Sequence, residues 1–151
     1  MAGFVFNEGS YGLQKGTIHY DSDTIMARLI TSATSAAVDI DADFMTGIGS
    51  RADQEPTSIT TMTTPVGPTK DDAADHVKYT SDNLVFTGAA LTIGACDAIV
   101  IYKFVEGGTP TQDDAASIPI AKVMITEVTP NGGDITVTLP ALGWFYTQQH
   151  A

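Results

Sequence analysis

Cysteine is almost missing: Cys96 is the only one in 151 residues. A disulfide within the chain and a cysteine-based zinc site are thereby excluded. Cys96 stands in Ile93-Gly94-Ala95-Cys96-Asp97-Ala98-Ile99, beside a strongly apolar run, and reads as a buried, inert thiol. Positive charge is scarce as well. Seven Lys and Arg stand against eighteen Asp and Glu, a formal charge of −11, and the seven are scattered from Lys15 to Lys122. Counterion-release binding to nucleic acid needs clustered cations, so nucleic acid is not an expected partner. No apolar run approaches the ~20 residues of a membrane-spanning helix, so no membrane is expected either. The opening Met1-Ala2-Gly3-Phe4-Val5-Phe6-Asn7-Glu8 lacks a basic stretch ahead of an apolar core. It does not read as a secretory leader, and synthesis in a cytoplasm is the expectation.

What is present suits a globular chain. The hydrophobic share of 43% is too high for a disordered segment, and the length suits one domain over residues 1–151. Thr, Val and Gly alternate with short apolar runs, which reads as all-β. Segments 17–20 and 24–31 form a first strand pair. In the second of these, Ile25, Ala27 and Leu29 share one face while Met26 and Ile30 share the other with Arg28. Both faces are then largely apolar, and Arg28 needs a partner or a path to solvent. Residues 38–45 predict one short helical turn with Phe44 and Met45 held in the core. Residues 51–70 are rich in Thr and Pro (Pro56, Pro65, Pro68), an excursion directed at a neighbouring subunit, with an edge strand near 59–63.

The second half is clearer. Segments 76–80 and 84–87 flank the turn Ser81-Asp82-Asn83, and 98–105 is a continuous apolar strand of the kind buried on both faces. A Gly/Pro/Asp loop fills 106–117, and strands follow at 118–128 and 134–139. Between these two lies Asn131-Gly132, a hairpin signal because both residues tolerate positive φ. A short aromatic strand, Gly143-Trp144-Phe145-Tyr146, closes the chain. Strands at this spacing, without helices long enough to cover a sheet, predict an antiparallel β-sandwich or jelly-roll-like barrel with at most one or two short helical turns.

No motif selects an enzyme. Gly47-Ile48-Gly49-Ser50-Arg51-Ala52 fits G-x-G-x-x-A, but Asp53-Gln54-Glu55-Pro56 follows where a helix would have to cradle a pyrophosphate. Asp39-Ile40-Asp41-Ala42-Asp43 spaces carboxylates like a calcium loop, yet Phe44 stands at the sixth position and Ser50 at the twelfth, which excludes an EF-hand. The default for Asp21, Asp23 and the Asp71, Asp72, Asp75 group is turns and caps; the alternative is a calcium site of another design. His19, His76 and His150 fall in no metal-ligand spacing, and no G-x-S-x-G elbow marks a nucleophile. No cofactor is expected. The aromatic groups at the two ends (Phe4, Phe6 and Tyr11; Trp144, Phe145 and Tyr146) fill one end of the core or anchor an interface.

Four blocks, in order, carry a resemblance. Gly16-Thr17-Ile18-His19-Tyr20-Asp21-Ser22-Asp23-Thr24-Ile25-Met26-Ala27-Arg28-Leu29-Ile30-Thr31-Ser32 is similar to a "G-x-I-D-L-D-(T/S)-D-T-I-K-V-x-L-(V/L)-T-S" run. His19-Tyr20 replaces the usual Asp-Leu, and Met26-Ala27-Arg28 stands where Lys-Val is usual. Residues 71–86 resemble "D-D-(T)-N-D-R-A-x-F-D-A-D-D-V-x-W", Ala98-Ile99-Val100-Ile101-Tyr102-Lys103 resembles "A-A-V-I-Y-K", and 129–139 resembles "T-P-N-G-G-D-I-T-(I/V)-x-(W/L)". Each block alone is a weak signal; their order is what counts. The family they resemble is that of small β-rich virion structural proteins of tailed bacteriophages.

The resemblance implies a non-enzymatic virion component, in first place a head decoration (cement) protein. Such a protein sits on the outer head surface, binds the major capsid protein and ties its subunits together, as a homotrimer at threefold positions. A neck or tail component of the same virion, and a carbohydrate-binding module of a fibre or head surface, are the alternatives. A strongly acidic surface would be repelled by packaged DNA, which favours an outward position. Contacts are expected from an N-terminal arm over 1–15 (Phe4, Val5, Phe6, Tyr11), from the Thr/Pro loop (Ile59, Met62) and from the loop at Pro110.

Overall fold

A strand that is apolar on both faces is stable only inside a sheet covered on both sides. The computed structural model describes residues 3–48, 59–72, 76–88, 93–108 and 110–148, the side chains of 110–112 and 148 excepted, and it places the 98–103 run in that position. In chain order the strands are β1 (Phe4–Val5), β2 (Ile25–Thr31), β3 (Ile59–Thr61), β4 (Val66–Asp71), β5 (His76–Thr80), β6 (Leu84–Phe86), β7 (Cys96–Lys103), β8 (Ile118–Val128), β9 (Ile135–Val137) and β10 (Phe145–Gln148). The helices are α1 (Asn7–Lys15), α2 (Ser32–Ala37) and α3 (Pro110–Ala116), with a 3-10 turn at Met45–Ile48. A five-stranded sheet runs β1-β8-β7-β2-β3; a three-stranded sheet runs β10-β5-β4; β6 and β9 form a two-stranded sheet. Pairing is antiparallel throughout the described strands. The chain is an all-β, sandwich-like fold.

The alternation in β2 decides the layers. Ile25, Ala27 and Leu29, with Ile99 and Ile101 of β7, face the main core, which Tyr79, Leu84, Phe86, Ile135 and Phe145 close from the smaller sheets. Met26 and Ile30, with Ala98, Val100 and Tyr102, face a second cluster on the opposite side. There α2, the segment 38–44 and the 3-10 turn form the cover: Val38, Ala42, Met45 and Ile48 join Phe4 and Phe6. Each fully buried large apolar side chain contributes roughly 1.5–3 kcal/mol, so both faces of the sheet contribute to stability.

Arg28 lies on that second face and is 0% exposed. Its partner is Asp114 of α3, with Nη2 donating to Oδ1 at 2.6 Å, and its guanidinium lies 5.3 Å from the Tyr102 ring centroid. In the same cross-strand row, Arg28 is opposite Val100 and Val100 opposite Lys122, which in turn is opposite Phe4. Lys122 is also buried; its Nζ donates to the Ser35 carbonyl of α2 and lies over the Phe4 ring at 5.6 Å. Two cations under the cover layer thus each tie one helix to the sheet.

Several sequence expectations are corrected. Residues 17–20 are not a strand: Thr17 and Ile18 donate to the Gly12 carbonyl, and Ser22 and Asp23 to that of His19, so their backbone bonds close locally. The N-terminal segment is not a free arm. Phe4 and Val5 pair with Lys122 and Ala121, and residues 7–15 are helical. The glycines of α1 serve its packing: a Cβ on Gly9 would stand 2.6 Å from Ile120 Cα and 2.7 Å from the Pro119 carbonyl oxygen. Within the expected loop at 106–117 lies α3, fastened where Gly107 N–H donates to Asp113 Oδ1 at 2.7 Å and Ser117 N–H to the Asp113 carbonyl. Among the described residues three short helices, rather than one or two helical turns, accompany the strands.

The hairpin expected at Asn131-Gly132 is also corrected. After β8 the chain leaves the large sheet, and β9 pairs with β6. Phe44 is 45% exposed rather than in the core, while its neighbour Met45 is fully buried. Of the 51–70 excursion, residues 51–58 lie outside the described residues; β3 is the edge strand expected there, and β4 pairs with β5. The G-x-G-x-x-A match also falls partly outside, at 49–52, as do Asp75 and His150.

Candidate functional site

The expected contact residues divide by burial. Phe6 is 0% and Met62 4% exposed. Phe6 packs edge-to-face on Phe4 at 5.0 Å, and Met62 Sδ accepts from the Tyr20 hydroxyl at 3.6 Å. Both belong to the interior and are withdrawn as surface contacts, because burial within their own chain leaves them nothing to offer a neighbour. Phe4, Val5 and Ile59 are half-buried on edge strands. Tyr11 stands out at 54% exposure, with Lys15 Nζ donating to its hydroxyl at 2.7 Å. Pro110 opens α3, and its side chain lies outside the described residues.

The terminal aromatics do not fill one end of a common core. Phe4 and Phe6 serve the second cluster, while Trp144 and Phe145 serve the main one. Trp144 is buried with Nε1 donating to Ser81 Oγ at 2.7 Å, which leaves no indole face for a sugar. Phe145 stacks on Tyr79 at 4.6 Å, and Tyr146 remains exposed.

Two shallow grooves flank β8. One, of about 360 Å³, is bounded by Val123, Ile125, Ile135, Val137 and Trp144, and no ionisable side chain lines its described wall. The other, of about 500 Å³, lies among Phe4, Lys122, Met124 and Tyr146, and its described wall carries no carboxylate or histidine. The ionisable side chains on the second groove's described wall are Lys122, whose Nζ is engaged with the Ser35 carbonyl, and the exposed Tyr146. Among the described residues no three His, Cys, Asp or Glu side chains are grouped to hold a metal. Asp23, one of the carboxylates weighed for calcium, accepts from His19 N–H at 2.7 Å and pairs with Lys103 Nζ at 2.9 Å.

The perturbed ionisable groups have structural causes. Burial, with the Tyr79 phenol beside it, pushes the Tyr20 hydroxyl far up. Burial likewise raises Tyr79. The Cys96 thiol is pushed up to about 11 by burial and by Asp97, so it is no nucleophile at neutral pH. Burial lowers Lys122, with Asp97 acting in the other direction. For Asp23, burial acts upward, but the His19 N–H and Lys103 prevail and hold it below the usual carboxylate range.

What distinguishes the surface is a displayed turn. Ile40 (40%) and Phe44 (45%) are exposed four residues apart, as Leu142 and Tyr146 also are, but only the first pair stands amid exposed carboxylates, Asp39, Asp41 and Asp43, among the described residues. Asn7 at the start of α1 holds the turn: its N–H donates to the Ile40 carbonyl at 3.1 Å, and its side-chain amide donates to Asp41. Tyr11 lies one helical turn beyond Asn7 on the same face of α1. Sequence reasoning missed Ile40 and Phe44 because it assigned Phe44 to the core. The alternating Asp–apolar pattern of 39–44 was the available signal. Comparison with protein families, with curated proteins and with solved structures gives no match for this chain.

Proposed function

We propose that this chain is a non-enzymatic structural protein of a tailed-phage virion, and specifically a decoration protein of the outer head surface. The observation that carries the reading is the ordered set of four sequence blocks. They supply β2, β5, β6, β7 and β9, so the resemblance runs through the frame of both layers rather than through one loop. The charge of −11 supports an outward position, away from packaged DNA. Each copy would contact several capsid subunits and its own symmetry mates, as a homotrimer, so that modest contacts add through effective concentration.

Heads assembled with and without the protein test the reading. Decorated heads are expected to release DNA at higher temperature, and hundreds of copies should be retained per particle. Unchanged release overturns the cementing role. A dozen or fewer copies would move the protein to the neck or tail.

A further inference from the structure

We infer that the turn over residues 39–44, flanked by Tyr11, is the docking element, and that its partner is an apolar socket ringed by Lys and Arg on a capsid subunit. The inference rests on the head-decoration reading and names the partner surface for it. Single exposed apolar side chains are ordinary on a protein surface. Here Ile40 and Phe44 share one turn, and Tyr11 stands on the helix that the turn is bonded to. The turn is also held in place. Besides the Asn7 bonds, Met45 N–H donates to the Ser117 carbonyl at 3.0 Å, Gly47 N–H donates to Phe44 O at 3.0 Å, and Val38 and Ala42 pack into the second cluster. Preorganised apolar groups lose little entropy on binding, and buried aromatics are what interface hot spots use.

The charges choose the partner. Asp39, Asp41 and Asp43 alternate with the apolar side chains, and Lys15 beside Tyr11 leaves an acidic excess around them. In a threefold contact between copies the patch would meet a different face of its neighbour, but that neighbour carries the same charge of −11 with its seven cations scattered, so the carboxylates would face net like charge. An anionic lipid surface would repel them too. A socket with a cationic rim reverses the sign and speeds encounter.

The test uses heads assembled without this protein and measures equilibrium binding of wild type, Ile40→Ser/Phe44→Ser, Asp39→Asn/Asp43→Asn and the control Val85→Ser, whose side chain is exposed on β6. Substitutions at exposed positions should leave melting unchanged. Wild type and Val85→Ser should bind alike. Ile40→Ser/Phe44→Ser should bind roughly 30-fold more weakly, the effect of losing one strong hot spot. The Asp39→Asn/Asp43→Asn variant should associate more slowly and with a flatter salt dependence. Binding of the apolar variant within about threefold of wild type overturns the inference while leaving the decoration reading in place. Failure of wild type to bind heads overturns both. Loss of a homo-oligomer in sedimentation, with head binding intact, assigns the patch to a second copy and overturns the inference.

Discussion

Removing Asp114 isolates what holds the cover layer to the sheet. Arg28 is fully buried, its Nε and Nη1 have no hydrogen-bond partner among the described residues, and the 2.6 Å bond from Nη2 to Asp114 is its direct ion pair. Asp114→Ala strands a buried guanidinium, which costs about 3–5 kcal/mol. For a chain of this size each kcal/mol lowers Tm by about 2–4 °C, so a fall of about 6–20 °C is expected. Arg28→Met fills a similar space without charge. In that background Asp114→Ala should cost at most about 1 kcal/mol, because no cation is left unpaired. Denaturant unfolding of the four proteins closes the double-mutant cycle. The coupling should be about 2–4 kcal/mol. If Asp114→Ala costs less than about 1 kcal/mol, or costs the same with Met at position 28, the ion pair is not what fastens α3.

Gly9→Ala should destabilise by about 1–3 kcal/mol in urea unfolding, because its Cβ meets β8 backbone that cannot yield. Gly16→Ala, at φ 73° with open space around it, should cost about 1 kcal/mol through backbone conformation alone. Cys96 should resist iodoacetamide in the folded protein up to about pH 9 and react once unfolded, since its thiol titrates near 11 behind burial; prompt native labelling counts against that burial. Asp23 titrates below its ordinary value when folded, so its stabilising contribution is complete above the ordinary value of about 4 and is lost as pH falls through the lower folded value. The urea midpoint of wild type should exceed that of Asp23→Asn at neutral pH, and the two should converge in acid. Asn keeps the oxygen that accepts from His19 N–H, so the difference isolates the Lys103 pair.

Period-two patterning made much of the main frame legible. The split of β2 into Ile25, Ala27, Leu29 against Met26, Arg28, Ile30 is realised in the two clusters, and 118–128 is a strand at the expected bounds. Arg28 on an apolar face called for a partner or a path to solvent; the structure gives it a partner the sequence could not name, because Asp114 lies 86 residues away. In α1, Gly9 and Gly12 are small for packing rather than for turning. Asn131-Gly132 gave a turn, but turn chemistry does not say which sheet receives the next strand. The partner of β9 is β6, chosen by the tertiary burial of Ile135 against Phe86 and its neighbours rather than by adjacency in sequence. Ile40 and Phe44 escaped notice for a related reason. Hydrophobicity predicts burial, and exposure of a large apolar side chain becomes legible only once the rest of the turn is seen to be occupied.

The cover layer joins these threads, because the displayed turn is fastened to the same helix that the buried ion pair fastens. Asp114 ties α3 to Arg28; Ser117, just past α3, accepts from Met45 N–H; Met45 anchors the end of the 39–44 turn. If Ile40 and Phe44 make the docking contact, loosening α3 should weaken docking before it unfolds the chain. Asp114→Ala, assayed well below its lowered Tm, should bind undecorated heads several-fold more weakly than wild type, although residue 114 is buried within the fold. Arg28→Met/Asp114→Ala, which restores an uncharged fit, should recover part of that loss. Hydrogen exchange at Met45 N–H gives the independent reading, faster in Asp114→Ala and restored in the double variant. Unchanged exchange at Met45 together with weakened binding would show that α3 acts on docking by some route other than the turn.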